Sequence, residues 1–378
     1  MKKIRLAMIG LGDMGTGHAA GFDQIEDCEI VWIADPQESN RNRALRYIRR
    51  NQPRIASDYR ELLQESDTFD AVVIAVPNYL HKEAAIPFLE LNKHMLLEKP
   101  VAHNLQDCDA IRAKAEQSSA ILQIGLVYRY SNVYRRMKQE LSRGKLGQVS
   151  MMWCKEFRDP FPPVDWFYDQ ARSGGTLVEK DCHHFDIFNW MIGAKPLRVF
   201  ASGGQHVLRQ GEKNLITNSY THYPAKYMEN TSIVDHAWVT IDYENGAKAN
   251  LGLCMYLQPK NLMDEGLEIG LIGSNGAQMI AKKDSTIDIA GGADSTKEHI
   301  DIDVESDTFS GGHTGSQRQR KEFLESIRTG KPPFASVDVG RDALLIALAA
   351  EKSVKEERYV YISELVSSGG EVEHEIKV

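Results

Sequence analysis

The sequence predicts an α/β N-terminal domain on a parallel sheet, followed by an α+β C-terminal domain with an open, mainly antiparallel sheet. Three observations carry this. An apolar run, Ile4-Arg5-Leu6-Ala7-Met8-Ile9, breaks into Gly10-Leu11-Gly12-Asp13-Met14-Gly15. Short apolar runs then alternate with helix-compatible segments as far as residue 125. Beyond residue 127 the runs lengthen and alternate polar with apolar, and Asn245-Gly246 joins two of them.

The first turn is Gly-x-Gly-x-x-Gly. Gly10 permits the tight turn, Gly12 lets the backbone approach a pyrophosphate, and Gly15 lets the next helix pack closely on the strand. The helix N-terminus adds free N–H groups and a partial positive charge. A second run, Glu29-Ile30-Val31-Trp32-Ile33-Ala34, ends in Asp35, about twenty residues after the last glycine, where a carboxylate would hold an adenosine ribose. This order of elements is that of a Rossmann dinucleotide site. A carboxylate at Asp35 repels the additional phosphate of NADP, so NAD is the expected cofactor. Arg41 and Arg43 are placed on the solvated face of the following helix.

Further strands are expected at 71–76, 94–97 and 121–125, with helices at 37–50, 58–65, 79–91 and 104–117. Continuous apolar strands between helices imply a parallel sheet covered on both faces, with ligands at the strands' C-terminal ends. This domain is expected to span 1–126. In the remainder, 127–378, strands are expected at 148–157, 233–243 and 247–257, the last two joined by the Asn-Gly hairpin signal. The polar stretch 205–230 reads as an insertion or a long loop. Residues 338–356 form an apolar-faced helix that is expected to return to the first domain.

Composition narrows the partners. The 378 residues carry a net charge of −8, which argues against nucleic acid and anionic membranes. The five cysteines, Cys28, Cys108, Cys154, Cys182 and Cys254, are scattered, so neither a zinc ribbon nor a disulfide framework is suggested. No segment approaches the roughly eighteen apolar residues of a membrane span. The N-terminal run is a strand's length without a cleavage site, and a cytoplasmic protein is expected.

Three clusters carry candidate chemistry. Val76-Pro77-Asn78-Tyr79-Leu80-His81 closes a central strand, where Pro77, Asn78 and His81 either contact the cofactor or only shape the turn. Leu97-Glu98-Lys99-Pro100 closes the next strand. Lys99 there would lie near the nicotinamide and bind a substrate hydroxyl or tune a proton transfer. The peptide geometry before Pro100 stays open. The third cluster runs from Gly174-Gly175 through Glu179-Lys180-Asp181-Cys182-His183-His184 to Asp186. On one helix, Glu179, His183 and Asp186 would share a face, with Glu179 orienting His183 as a general base. A plain solvated face and a metal site are the alternatives. Adjacent His183 and His184 point in different directions, so no metal is expected.

In this order, the Gly-rich turn, the Asp-ended strand, Glu98-Lys99-Pro100 and the Gly-Gly…Glu…His…Asp segment resemble the Gfo/Idh/MocA oxidoreductase family over nearly the whole chain. The resemblance implies an open mixed sheet that supplies the substrate site and often an oligomer interface. It also implies NAD(P)-dependent oxidation of a secondary alcohol on a sugar, polyol, cyclitol or glycoside, or the reverse. Lys99 and His183 match the family's lysine and proton-transferring histidine. The cofactor contacts then run from Gly10 to Gly15 and include Asp35, Pro77, Asn78, His81, Glu98 and Lys99. Tyr128, Arg129, Arg158, Trp166, Lys180 and His184 are placed at the substrate with Lys99 and His183. Three residues depart from the pattern: Glu179 stands for Asp, Lys180 for an apolar residue and Asp181 for glycine. Asp181 falls on the apolar face and would need a partner if buried. A homo-oligomer, dimer or tetramer, is expected. Two other activities fit the same motifs: redox-neutral chemistry on a retained cofactor, and a non-catalytic dinucleotide sensor.

Overall fold

Six strands form one parallel sheet: β1 (Ile4–Ile9), β2 (Cys28–Ala34), β3 (Arg54–Ala56), β4 (Ala71–Ile74), β5 (His94–Leu97) and β6 (Leu122–Ile124). Their order is 3-2-1-4-5-6. The structure, a computed structural model, describes residues 2–219, 223–258, 268–282, 285–292, 296–303 and 314–367. Helices α1 (Asp13–Asp23), α2 (Glu38–Leu45), α3 (His81–Glu90) and α4 (Leu105–Gln117) cover the sheet. Apart from the edge strand β3, the strands are largely buried on both faces, which is why they read as apolar runs.

The differences from expectation have local causes. The helix expected over 37–50 stops at Leu45 because the amides of Arg49 and Arg50 bond the Asp23 carboxylate instead (3.0 and 3.3 Å). Residues 59–63 form a 3₁₀ helix under an Asp58–Glu61 capping box. The strand expected over 71–76 ends at Ile74. Ala75 and Val76 leave it to abut the Gly-rich turn, where a Cβ on Gly10 would lie 2.7 Å from the Ala75 carbonyl carbon. β3 was not anticipated, because three residues on a sheet edge show no periodicity.

The second sheet has nine strands in the order 16-15-14-13-7-12-11-8-17. They are β7 (Val149–Phe157), β8 (Pro196–Gly204), β11 (His236–Tyr243), β12 (Lys248–Cys254), β13 (Glu268–Gly273), β14 (Gln278–Lys282), β15 (Thr286–Gly291), β16 (Thr296–Asp301) and β17 (Val360–Tyr361). Neighbours run antiparallel except β7 with β12, so the sheet is mixed and open. The Asn245-Gly246 hairpin forms as expected, with Gly246 at φ +87° and Asn245 Oδ1 accepting the Ala247 amide. Within the polar stretch, β9 (Asn214–Ile216) and β10 (Lys226–Met228) pair only with each other, and 220–222 lie outside the described residues.

Among the described residues the further α-helices are α5 (Asn132–Ser142), α6 (Gln170–Ser173), α7 (Thr176–Glu179), α8 (Cys182–Ile192), α9 (Ser316–Thr329), α10 (Val337–Glu356) and α11 (Ile362–Ser367). α10 starts on a Ser336 cap to the Val339 amide (3.4 Å) and packs on α4, α7, α8 and β8. Among the described residues, no helix is long and apolar enough to cross a membrane.

α9 returns to α1 through a buried cation. Arg320, 1% exposed, donates Nη2 to the Gly17 carbonyl (3.1 Å), Nη1 to Gln317 Oε1 (3.0 Å) and Nε to His18 Nδ1 (3.4 Å). An arginine cannot accept, so His18 receives at Nδ1 and carries its proton on Nε2, which bonds Glu98 Oε1 at 2.7 Å. Arg320→Met strips donors from buried acceptors, at about 1–3 kcal/mol each. A urea titration is therefore expected to show a loss of about 3 kcal/mol.

Candidate active site

The glycine turn and the ends of β4 and β5 meet at one edge of the parallel sheet. Gly10 takes φ +78°, and a Cβ on Gly15 would collide with the Gly10 carbonyl oxygen, so both positions require glycine. A Cβ on Gly12 would meet nothing within 4 Å, leaving the backbone open where a pyrophosphate would lie. Asp35 is buried; its Oδ2 accepts the Leu11 amide (2.6 Å) and its Oδ1 the Gln37 amide (2.8 Å). The carboxylate thus ties β2 to the turn.

Arg41 and Arg43 do not lie on a free solvated face. Arg41 Nη1 donates to the Asp35 carbonyl (2.6 Å). Arg43 bonds Asp13 Oδ1 (2.9 Å) and the Leu11 carbonyl (3.1 Å). Carbonyl and carboxylate oxygens exposed by the turn draw both guanidinium groups inward.

Lys99 leaves the end of β5 through a cis bond to Pro100. Its Nζ donates to Glu179 Oε1 at 2.8 Å and to the Glu179 carbonyl at 2.7 Å. Asn78 Nδ2 donates to Glu179 Oε2 (2.9 Å) and to the Ser173 carbonyl (2.8 Å). Burial alone would drive the proton off Lys99, but the Glu179 carboxylate outweighs it and holds the ammonium above its ordinary pKa. For Glu179, burial raises the pKa while Lys99 and Asn78 pull it back. A charged, hydrogen-bonded pair fits both sets of contacts.

The expected single helix through Glu179 and His183 is broken. α7 ends at Glu179, Lys180 and Asp181 form a turn, and α8 begins at Cys182. Glu179 faces Lys99 and Asn78. His183 is buried and lies beside Tyr128, with ring centroids 4.7 Å apart and planes at 31°.

Behind it lies a chain of buried charges. Lys180 Nζ is 3.1 Å from Glu156 Oε1, His184 Nε2 is 3.3 Å from Glu156 Oε2, and His184 Nδ1 is 3.0 Å from Asp181 Oδ1. Burial opposes a charge on His184, but Cys154, Asp181 and Glu156 around it hold its pKa well above the ordinary value. Glu156 stays well below the carboxylate range despite burial, because Lys180 and His184 face it. Asp181 finds its partner in His184.

The sequence profile of an oxidoreductase family with an NAD-binding Rossmann fold, Gfo/Idh/MocA, matches residues 4–126, and the profile of its C-terminal alpha/beta domain matches 138–362. The chain belongs to the Gfo/Idh/MocA oxidoreductase family. A myo-inositol 2-dehydrogenase of Thermotoga maritima is 26% identical over 370 residues, covering 96% of this chain and 100% of that enzyme. A scyllo-inositol 2-dehydrogenase (NAD(+)) of Bacillus subtilis is 24% identical, covering 93% and 94% of the two chains. Among solved structures, a levoglucosan dehydrogenase complexed with NADH and L-sorbose aligns with TM-score 0.81 at 17% identity, covering 96% of this chain and 100% of that one.

Within this Gfo/Idh/MocA frame, four candidate residues are held by polar partners of the protein. His81 is buried between the Pro100 and Val76 carbonyls (2.8 and 3.1 Å), where it ties the β4 and β5 exits together. The Glu98 carboxylate turns away to His18 and the Lys99 amide. His184 is wholly buried among carboxylates. Arg129 makes a buried pair with Asp186 (2.9 and 2.8 Å from Nε) between Trp190 and Phe334. In each case a short polar partner, invisible in the local sequence, takes up the group.

The other candidates stay near the edge. Pro77 heads the 3₁₀ turn Asn78–Leu80, and Trp166 stacks on Phe167 within reach of Tyr79. Arg158 lies 3.9 Å from Glu156. Asn78 as the holder of Glu179, together with His18 and Glu156, was missed, and no motif marks those pairings. Because Arg129 closes a buried ion pair, Arg129→Met leaves Asp186 uncompensated. Unfolding followed by tryptophan fluorescence should show a loss of about 3–5 kcal/mol.

Proposed function

We propose that this protein is an NAD-dependent oxidoreductase that transfers hydride between nicotinamide and a secondary alcohol of a sugar, polyol, cyclitol or glycoside. The observation that carries the reading is Lys99, ion-paired with Glu179 at the edge of β5, with His183 just beyond the break between α7 and α8. The inositol and levoglucosan dehydrogenases among its relatives support the substrate class.

The residues at the edge fit a dinucleotide: Gly12 is open, and buried Asn78 Oδ1 has no hydrogen-bond partner among the described residues. Nicotinamide, when bound, supplies the hydride acceptor or donor. Lys99, kept charged by Glu179, donates to the substrate oxygen and favours its loss of a proton. His183 takes that proton at a ring nitrogen and returns it in the reverse direction. Asn78 keeps Glu179 on Lys99, so the ammonium points at one place. Lys180 and Glu156 offer a donor and an acceptor to neighbouring hydroxyls, while Tyr128, Arg158 and Trp166 wall the site. Asp35, already carrying negative charge beside the turn, disfavours the phosphate of NADP.

The second sheet's outer face supports a homo-oligomer. Met151 and Trp238 are 54% and 53% exposed there, and Trp153 lies flat over Gly270. A second copy would cover this face, and Trp238→Glu is expected to shift sedimentation to a smaller species; an unshifted profile would exclude this face.

The activity is tested with purified protein, NAD or NADP, and a panel of sugars, polyols, cyclitols and glycosides, following nicotinamide reduction. NADH formation with one group names the class. His183→Ala should lower turnover by about 10²–10⁴-fold while NAD binding by titration is kept. Unchanged turnover removes His183 from the mechanism. Confirmed NAD binding with no reduction on any compound moves the reading to redox-neutral chemistry.

A further inference from the structure

The turn that delivers Glu179 and His183 is held from behind by a group that the chemistry above does not use. Gly174 and Gly175 take φ +82° and +100°, and the chain then enters α7. Over this turn lies Glu351 of α10, which is 8% exposed. Its Oε1 accepts the Leu177 amide at 3.0 Å, and its Oε2 lies 3.1 Å from Gln170 Nε2 at the start of α6. A Cβ at position 175 would collide with Glu351 Oε1, so the glycine makes room for the carboxyl as well as for the backbone angle.

We propose that Glu351 is a positioning residue for the active site, fixing the Gly174–Leu177 turn, and through it Glu179, by clamping the Leu177 amide and the Gln170 side chain together. The amide it clamps lies two residues before Glu179 in the chain. Glu179 in turn holds Lys99, so a shift of the turn reaches the ammonium that faces substrate. Glu351 touches neither substrate nor cofactor and acts only through this turn.

The clamp works as a neutral acid. Burial, with Asp181 adding like charge, pushes the Glu351 pKa up to about 8. Among the described residues, Asp181, between α7 and α8, is the charged group that bears on it. From α6 and α7 it meets the amides of Gln170 and Leu177. Protonated, its carbonyl oxygen still accepts from Leu177, and its O–H donates to Gln170, whose side-chain amide can present oxygen instead of nitrogen. Ionised, it sets an unbalanced negative charge beside Asp181.

The sign of the pH effect follows. Between about pH 4.5 and pH 8 the folded protein keeps a proton that the unfolded chain has released, so this group's contribution to stability falls as pH rises through that window. Glu351→Gln keeps the shape, the carbonyl acceptor and the amide contact, and cannot ionise.

The experiment compares full-length wild type, Glu351→Gln and Glu351→Ala. Urea unfolding of wild type and Glu351→Gln from pH 5 to 9 should show a steeper downward slope in wild type than in the glutamine variant; identical slopes overturn the neutral clamp. For turnover, the readout that rests on the proposed activity, Glu351→Gln should stay within about twofold of wild type at pH 7. Glu351→Ala should lower kcat about tenfold or more with unchanged NAD affinity. An alanine variant with wild-type kcat, or a glutamine variant with the alanine defect, overturns the positioning role. If no substrate is turned over by wild type, the functional reading fails while the pH slope still decides Glu351.

Discussion

Burying the Lys99 ammonium is the constraint on which the rest of this structure depends. Its side chain is 16% exposed and that of Glu179 is 8% exposed, so neither charge is settled by water. Removing one partner would leave the other buried and uncompensated. The two belong to different sheets' territories, one at the end of β5 and one at the end of α7. Docking of the second domain on the first is therefore also the event that completes the ion pair. Asn78 Nδ2 satisfies the second oxygen of Glu179 and is itself anchored on the Ser173 carbonyl. The double glycine at 174–175 is needed because the chain must turn sharply to bring α7 that close.

The parallel sheet was legible because strands buried on both faces leave unbroken apolar runs, and Gly10, Gly15 and Asp35 punctuate them at distances set by the turn. The second sheet was legible only at β7, β11 and β12, where alternation is long. β13 to β16 were not anticipated, nor were α5 and α9. α9 carries Arg, Gln, Lys and Glu on most positions, and its one fully buried cation, Arg320, reads locally as a surface residue. Its partner His18 is 302 residues away, and no spacing rule links them.

At the site, Lys99 and His183 stood out because strand ends and helix starts beside glycine or proline are where a parallel sheet exposes groups to a ligand. Their partners did not. Glu179 and Asn78 are 101 residues apart. The inference that Glu179 orients His183 assumed an unbroken helix. The chain instead makes a turn at Lys180 and Asp181 between α7 and α8, and the Asp181 carboxylate lies 3.0 Å from His184. Two of the three residues that depart from the pattern, Lys180 and Asp181, lie in the turn between α7 and α8 and bring further buried charges, paired with Glu156 and His184.

Glu98 and Lys99 explain how two buried networks share one strand end. The Glu98 amide still bonds the Ile74 carbonyl, so the alternation of the sheet continues past Leu97 and adjacent side chains leave on opposite sides. Glu98 points to His18 and so to Arg320 on α9; Lys99 points to Glu179 on α7. One dipeptide is therefore gripped on one face by His18 of α1, itself braced by Arg320 of α9, and on the other by Glu179 of α7. Neither charge can turn outward without abandoning a buried partner. A ligand at this edge meets a lysine whose position is set by α9 and α7 together, which makes the reach of Lys99 a property of how the two domains dock.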